Sequence, residues 1–427
     1  MKSIGCVTAF CLLYACVAGA AIAQDDNHHD QVMVLQKTDP SRAAELTSSR
    51  WIDVIEREIP PIKNQTSNAM PMIMWHGVGF ETLSESEIEI LRSRGLCQHL
   101  QVSTSMIEPA KALQKARMPV ILMEGRTDHW PYSLAKSPTH WPHEFDLTYQ
   151  PSWLVDEDSP DWQGACLGQL DGWKVLYTNT RRTMQEFRDA GVKVDAVLVD
   201  YEGDPYPWSQ LFEQIKHCKR CRRDLPPDVT RDKSAWRDYC WKKYVALYDQ
   251  YFAKAILDVF PDCLVTNWHV VFSSESDPVR YFVRDVDLPV LRPDFFSATN
   301  PIAYGSDLAW RELWNPSVRK SQSNVDVFYR EQILQQVRTD RKNREKENAL
   351  SVHSIPWVAR VCRIEADDKH SVPVMSRKAY RQTLGEMWSM DVHSMQVFNP
   401  MHDGYEELAL WELQDAVAAY DRRLAGD

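Results

Sequence analysis

The amino-acid sequence predicts an α/β fold: a (β/α)8 TIM barrel, one domain, with a long insert after strand three. Three observations predict it. Short apolar runs alternate with amphipathic helical stretches along most of the 427 residues, and that alternation implies a parallel sheet. The units number eight, the count at which such a sheet closes on itself. A composition of 44% hydrophobic and 26% charged residues is that of a globular chain with room for a large core. A doubly wound open sheet is the competing arrangement, and the count of units favours the barrel.

The first segment stands outside the fold. Lys2 precedes an apolar run from Ile4 to Ala20, and Ala21-Ile22-Ala23 is a small-x-small cleavage site before Gln24. Residues 1–23 are therefore expected to be a secretory signal peptide, which makes the protein secreted or periplasmic. A lipoprotein signal with Cys16 as the lipidated residue is the alternative, and Tyr14 fits it poorly. No later stretch is long and apolar enough to span a bilayer. Residues 24–68 form an N-terminal extension, packed on the barrel or in part a loose tail, and the barrel occupies 69–427.

Strand one is PMIMWHG (71–77), ending in Trp75 and His76; the helix SEIEILRSRG follows and stops at Gly95. Strand two is CQHLQVS (97–103), with a short helix near 109–117, and strand three is PVILMEG (119–125), closing on Glu124. After the insert come a helix at 173–190 closed by Gly191, strand four AVLVDYEG (196–203) and a helix at 235–259. Strand five is CLVTNWHV (263–270) and strand six FFSATNPIAYG (295–305). The helix at 327–348 carries the run RTDRKNREKEN, which reads as a solvated face. Strand seven, SVHSIPWVARV (351–361), precedes a helix at 377–389; strand eight, SMQVFNP (394–400), precedes the last helix at 406–424.

Strand four carries the chemistry. Barrel strands alternate inward and outward residues. With Val197, Val199 and Tyr201 toward the helices, Ala196, Leu198, Asp200 and Glu202 face the interior. Both acids then sit at the C-terminal mouth, where such barrels build their active sites. Their backbones are about 6.6 Å apart at a rise of about 3.3 Å per residue. Carboxylates so close repel, which raises one pKa unless a cation intervenes. A protonated acid beside an ionised one is what glycosidic bond cleavage uses. The bland alternative is an acid pair that salt-bridges to Arg126, Arg360 or another mouth residue. Two acids facing inward at the mouth favour chemistry.

DAVLVDYE (195–202) resembles the chitinase-type signature D-x-x-D-x-D-x-E: Asp195, Asp200 and Glu202 match, and Leu198 replaces the middle Asp. Asp200-Tyr201-Glu202 followed by DPYPW, with Trp208, resembles the strand-four motif of hyaluronidases, an Asp-aromatic-Glu before a Trp/Pro-rich loop. The resemblance covers about a dozen residues and the barrel layout. It implies Glu202 as the proton donor, and Asp200 as the residue orienting a substrate 2-acetamido group whose carbonyl oxygen is the nucleophile. HCKRC (217–221) and WRDYCWKKYVALYDQYF (236–252) also resemble exported barrel glycosidases with a Cys-x-x-Cys after strand four and an aromatic helix. Retaining barrels of the two-Glu kind place a second Glu at the end of strand seven, where SIPWVARV has none; Glu365 and Asp367 come late. That favours a neighbouring-group mechanism or an Asp200/Glu202 pair. Were Asp200 the nucleophile, Asp294 and Asp307 are the available distant acids.

Other strand ends finish in groups suited to sugars: Trp75, His76, Glu124, Asn267, Trp268, His269, Asn300, Tyr304, Trp357, Arg360 and Asn399. Flat apolar rings cover sugar C–H faces, and amide, imidazole and guanidinium groups meet hydroxyls. Singly, a Trp here is more often core; as a set at the mouth the balance reverses. The insert from Arg126 to Gly172 holds Trp130, Trp141, Trp153 and Trp162. It walls a cleft for an extended glycan or packs a small core of its own.

No cofactor is called for. His129, His140, His143 and Glu144 in the insert lack a recognised ligand spacing. Ten cysteines less Cys6, Cys11 and Cys16 leave seven, so at least one is free. Cys218, Cys221 and Cys240, with His217, hold a structural zinc or contribute a disulfide. A formal charge of −11 argues against nucleic acid as the main partner. The expected partner is a carbohydrate. The expected function is an exported glycoside hydrolase, with Glu202 as general acid/base and Asp200 as orienting carboxylate. The alternatives are a non-catalytic carbohydrate-binding barrel and a metal-dependent hydrolase using the His-rich insert.

Overall fold

The computed structural model describes residues 32–64, 69–74, 82–125, 155–156, 159–163, 170–200, 225–267, 294–304, 316–346, 352–360, 373–398 and 404–426. Among them the architecture is α/β, with parallel strands and helices packed beside them. Strands β1 (Met72–Met74), β2 (Leu96–Cys97), β3 (Leu100–Gln101) and β4 (Ile121–Gly125) come from the first three predicted strands. Then follow β5 (Val155–Asp156), β6 (Ser159–Gln163), β7 (Ala196–Asp200), β8 (Leu264–Asn267), β9 (Ala298–Thr299) and β10 (Ile302–Tyr304). The last are β11 (His353–Ser354), β12 (Trp357–Ala359) and β13 (Gln396–Val397).

One sheet runs β10-β12-β13-β1-β2, a second β3-β4-β7-β8, and β11 pairs with β9. Every pair in these sheets is parallel. Among the described strands, β5 and β6, between β4 and the helix at 170–189, pair antiparallel. In register, Leu122, Val197 and Val265 stand abreast on one face of the pleat, and Met123, Leu198 and Thr266 on the other. All six are buried, the pattern of parallel strands covered on both sides.

Predicted strands two, six and seven are each broken in two. In strands six and seven the break contains Pro301 and Pro356. Proline has no N–H to give a ladder, but its carbonyl still accepts. Trp357 N donates to Pro301 O at 2.8 Å, and Gln396 N to Pro356 O at 2.9 Å.

The helices are α1 (Pro40–Ser48), α2 (Trp51–Glu58), α3 (Glu85–Arg92), α4 (Ile107–Lys115) and α5 (Leu170–Asp189). They continue with α6 (Lys233–Tyr248), α7 (Lys254–Leu257), α8 (Gln322–Lys346), α9 (Arg377–Trp388) and α10 (Glu406–Ala425). Ser84 and Glu87 form a reciprocal capping box on α3, which satisfies two otherwise orphaned N–H groups. Gly95 ends that unit at φ +67, and a Cβ there would stand 2.5 Å from the Tyr420 ring. Backbone conformation and close packing therefore both require glycine.

The helix expected at 235–259 is interrupted by a π-helical turn, Asp249–Ala253. Its first residue, Asp249, accepts the backbone N–H groups of Asp294, Phe295 and Phe296, each at 2.9 Å. These lead into β9. Burial raises the Asp249 carboxyl above its ordinary value, against those three hydrogen bonds. On α5, Trp173 meets Tyr248 of α6 edge-on at 5.2 Å.

The charged run on α8 is not wholly solvated. Asp340, Asn343 and Arg344 are buried, on the stripe that recurs every three or four residues. Asp340 Oδ2 accepts from Arg344 Nε, Thr299 Oγ1 and Ser354 Oγ, all at 3.1 Å. Arg344 Nη1 donates to Val352 O at 2.9 Å. This buried pair pins α8 to the starts of β9 and β11. Beside it the rings of His353 and His393 lie 4.0 Å apart, and Ser354 N donates to His393 Nδ1 at 3.2 Å.

Candidate functional site

Three strands of the second sheet end side by side. Gly125 pairs with Asp200, Glu124 with Val199, and Val199 with Asn267. Strand four is thus flanked at its C-terminal end by strands three and five, as the order of units requires. Glu124 and Asn267 stand one residue below Asp200, so strand alternation gives them the opposite pleat position. If Asp200 faces the interior, Glu124 and Asn267 are not its companions there.

The side chains of Glu124, Asp200, Asn267 and Tyr304 lie outside the described residues, although their backbones are placed. Tyr304 pairs with Ala359. Trp75, His76, Glu202, Trp208, Trp268, His269 and Asn399 lie wholly outside the described residues, as do Cys218, Cys221 and the histidines of the insert. Cys240 is placed only as backbone within α6. Cys97 and Cys263 are free and buried, and burial pushes both thiols far up, which suits an inert core role.

Three proposed sugar-contacting residues are described in full, and all three are buried. Asn300 sits at the break in strand six, where its Nδ2 donates to Ile355 O at 2.5 Å and laces strand six to strand seven. Trp357 is 1% exposed, with its ring 5.9 Å from that of Phe398. Arg360 is 4% exposed, and its Nε donates to Met375 O at 2.8 Å in the turn before α9. Burial lowers the proton affinity of this guanidinium, opposed by Glu412 and Asp415 of α10. The groups around Arg360 thus belong to the helical layer.

Phe398 was not singled out from the sequence. It follows β13 at the C-terminal end of strand eight and is half-buried. Its ring is tilted by 50° to that of Trp357, and it shares a pleat face with Gln396. Gln396 stands level with Ile73 and Trp357 and is fully buried. The signal for Phe398 was available: it lies two residues beyond Gln396, at the same end as the other aromatic strand termini. Among the described residues no group of three or more His, Cys, Asp or Glu is arranged to hold a metal ion. No described helix is long and apolar enough to cross a membrane.

No family profile and no curated protein sequence matches the chain. Solved structures do match it. A GH53 catalytic domain from Ignisphaera aggregans is 13% identical, with a TM-score of 0.40 over 84% of this chain and 99% of that one. A D-psicose 3-epimerase, solved in the presence of D-fructose, is 9% identical, with a TM-score of 0.34 over 83% of this chain and 100% of that one. Likeness at this level assigns no role to any residue.

Proposed function

We propose that this chain is an exported glycoside hydrolase on a closed (β/α)8 barrel, with Glu202 as general acid/base and Asp200 as the orienting carboxylate. One observation carries the reading. The strand that ends at Asp200 lies parallel between two others, and its C-terminal end is level with theirs. A D-x-E motif at that position opens onto the edge where barrel enzymes build their sites.

Closure is supported by the pairing order. β1 pairs with both β13 and β2. The two halves of strands six and seven pair with each other. Ser297 N donates to Val265 O at 3.1 Å, which joins strand five to strand six. The halves of strand two face β1 and β4 respectively.

In this reading Glu202 protonates the glycosidic oxygen as its bond to the anomeric carbon breaks. Asp200 holds a substrate 2-acetamido group so that its carbonyl oxygen attacks the same carbon. Water, deprotonated by Glu202, then opens the cyclic intermediate, and the acid is regenerated. The substrate is a poly- or oligosaccharide with N-acetylhexosamine units. The test is a turnover screen of the mature chain beside Glu202→Gln, read by new reducing ends on N-acetylhexosaminides, neutral glycosides and acidic polysaccharides. Cleavage by the wild type alone is expected; equal cleavage by Glu202→Gln sinks the assignment.

A second reading is a barrel that binds glycans without cleaving them. It is favoured by the end of strand seven, where Arg360 stands in place of an acid and engages the helical layer. Glycan binding with no turnover, unchanged by Glu202→Gln, selects it.

A further inference from the structure

Residues 33–38 belong to no helix or sheet, yet they are tied down at both ends. Val34 forms an antiparallel bridge with Pro373. Val374 N donates to Met33 O at 3.0 Å, and Met33 N donates to Gln322 Oε1 at 2.6 Å. Gln322 also gives its Nε2 to Val374 O at 3.1 Å and to Asp326 Oδ1 at 2.7 Å. Asp326 in turn accepts from Ser376, the N-cap of α9. At the other end Thr38 N donates to Gly404 O at 2.7 Å, and Glu407 N to Thr38 Oγ1 at 3.2 Å.

These partners share a place in the fold. Gln322 opens α8, Val374 and Ser376 precede α9, and Gly404 and Glu407 flank the start of α10. In parallel βα units the helix N-termini follow the C-terminal ends of the strands, which is the mouth side. The segment therefore crosses the rim at units six, seven and eight. Leu35 packs on Val374, Tyr405 and Leu408, a small apolar cluster separate from the main core. A patch that small, held by a few hydrogen bonds, can open without the core opening.

We propose that residues 33–38 are a strap that fixes the segments leading into α9 and α10, residues 373–376 and 404–408, and that its seating sets how tightly the cleft holds its glycan. The second half rests on the glycosidase reading above; the first does not. Among the described residues the strap's hydrogen-bond partners are Gln322, Val374, Gly404 and Glu407, none of them assigned to bond cleavage, so it is a positioning element. It acts by holding the starts of α9 and α10 in place before substrate binds, which lowers the ordering cost of binding.

The experiment compares the full mature chain with Leu35→Asp, and with the milder Thr38→Val, by hydrogen exchange and by KM and kcat on the glycan found in the screen. Leu35→Asp is expected to speed exchange at residues 373–376 and 404–408 by about tenfold while β4 and β7 keep wild-type protection. KM is expected to rise severalfold with kcat held within about twofold. Thr38→Val should show the same pattern, weaker and confined to 404–408. Unchanged exchange at those residues, or loss of protection across the whole chain, overturns the strap. Faster exchange with an unchanged KM overturns its link to the cleft. If the wild type cleaves no glycan, the glycosidase reading fails, and exchange alone still decides the strap.

Discussion

At the N-terminal ends of strands six to eight, polar groups are engaged with one another. Asp340 takes Arg344, Thr299 and Ser354; His393 takes the Ser354 N–H; Arg423 Nη1 donates to His393 O at 3.4 Å. At the C-terminal ends of strands three to five, Glu124 and Asn267 stand level with Val199, one residue below Asp200. Nothing within one strand dictates that company, since each comes from a different unit. The difference teaches how to tell structural polarity from functional polarity. Polar groups that close on each other inside the fold hold elements together. Barrel enzymes place their chemistry at residues that end parallel strands, and the proposed function rests on Asp200 being one of these.

Four measurements break or sharpen that contrast. The largest effect is expected at the mouth. Glu202→Gln should lower turnover by about 100-fold or more, the usual loss of a general acid, with the melting temperature unmoved. A matching drop in stability would place Glu202 among the structural groups. At the other end the signs reverse. Asp340→Ala strands a buried guanidinium and should cost about 3–5 kcal/mol of stability, with kcat of the remaining folded protein unchanged; denaturant titration reads it.

The third measurement is acid sensitivity. Burial lowers the His393 pKa to about 4 from 6.5, reinforced by the neighbouring His353 and by Arg344 and Arg423, and opposed by Asp391. Burial also lowers His353, with Arg344 acting in the same direction. The unfolded chain therefore takes up these protons before the folded one does. The contribution is fully present above pH 6.5 and is lost as pH falls toward 4. His393→Asn, which keeps an acceptor for Ser354, should flatten the decline of melting temperature with pH over that window. An unchanged slope would assign the acid lability to other groups. The smallest effect concerns Gln396, fully buried with neither end of its carboxamide hydrogen-bonded among the described residues. Gln396→Met should raise stability by about 1 kcal/mol, because no buried polar group is then left unmatched. A loss of that size, together with weaker glycan binding, would move Gln396 into the site.

Much of the fold was legible because its signal is local. Apolar periodicity placed α8 at 327–348 against Gln322–Lys346, and the last helix at 406–424 against Glu406–Ala425. The π-helical turn at Asp249 was not legible: it accompanies contacts with Asp294, Phe295 and Phe296, some 45 residues away. The candidate site was partly legible. Asp200 could be placed at a strand end from its own neighbours, and the register then agreed on the level. Arg360 was expected to meet substrate from its place at a strand end; its hydrogen bond to Met375 O depends on packing that a strand-end arginine does not announce in sequence.

The sequence by itself determined the order of parallel strands and helices and the strand that ends at Asp200. These follow from side-chain period and from backbone chemistry such as proline's missing N–H, which act within a few residues. Only the tertiary structure decided that Asp340 and Arg344 are buried within a charged run. It alone set Glu124 and Asn267 one pleat position from Asp200, and laid residues 33–38 across the starts of three helices. Those outcomes depend on which distant groups meet, and desolvation, register and packing are properties of the meeting.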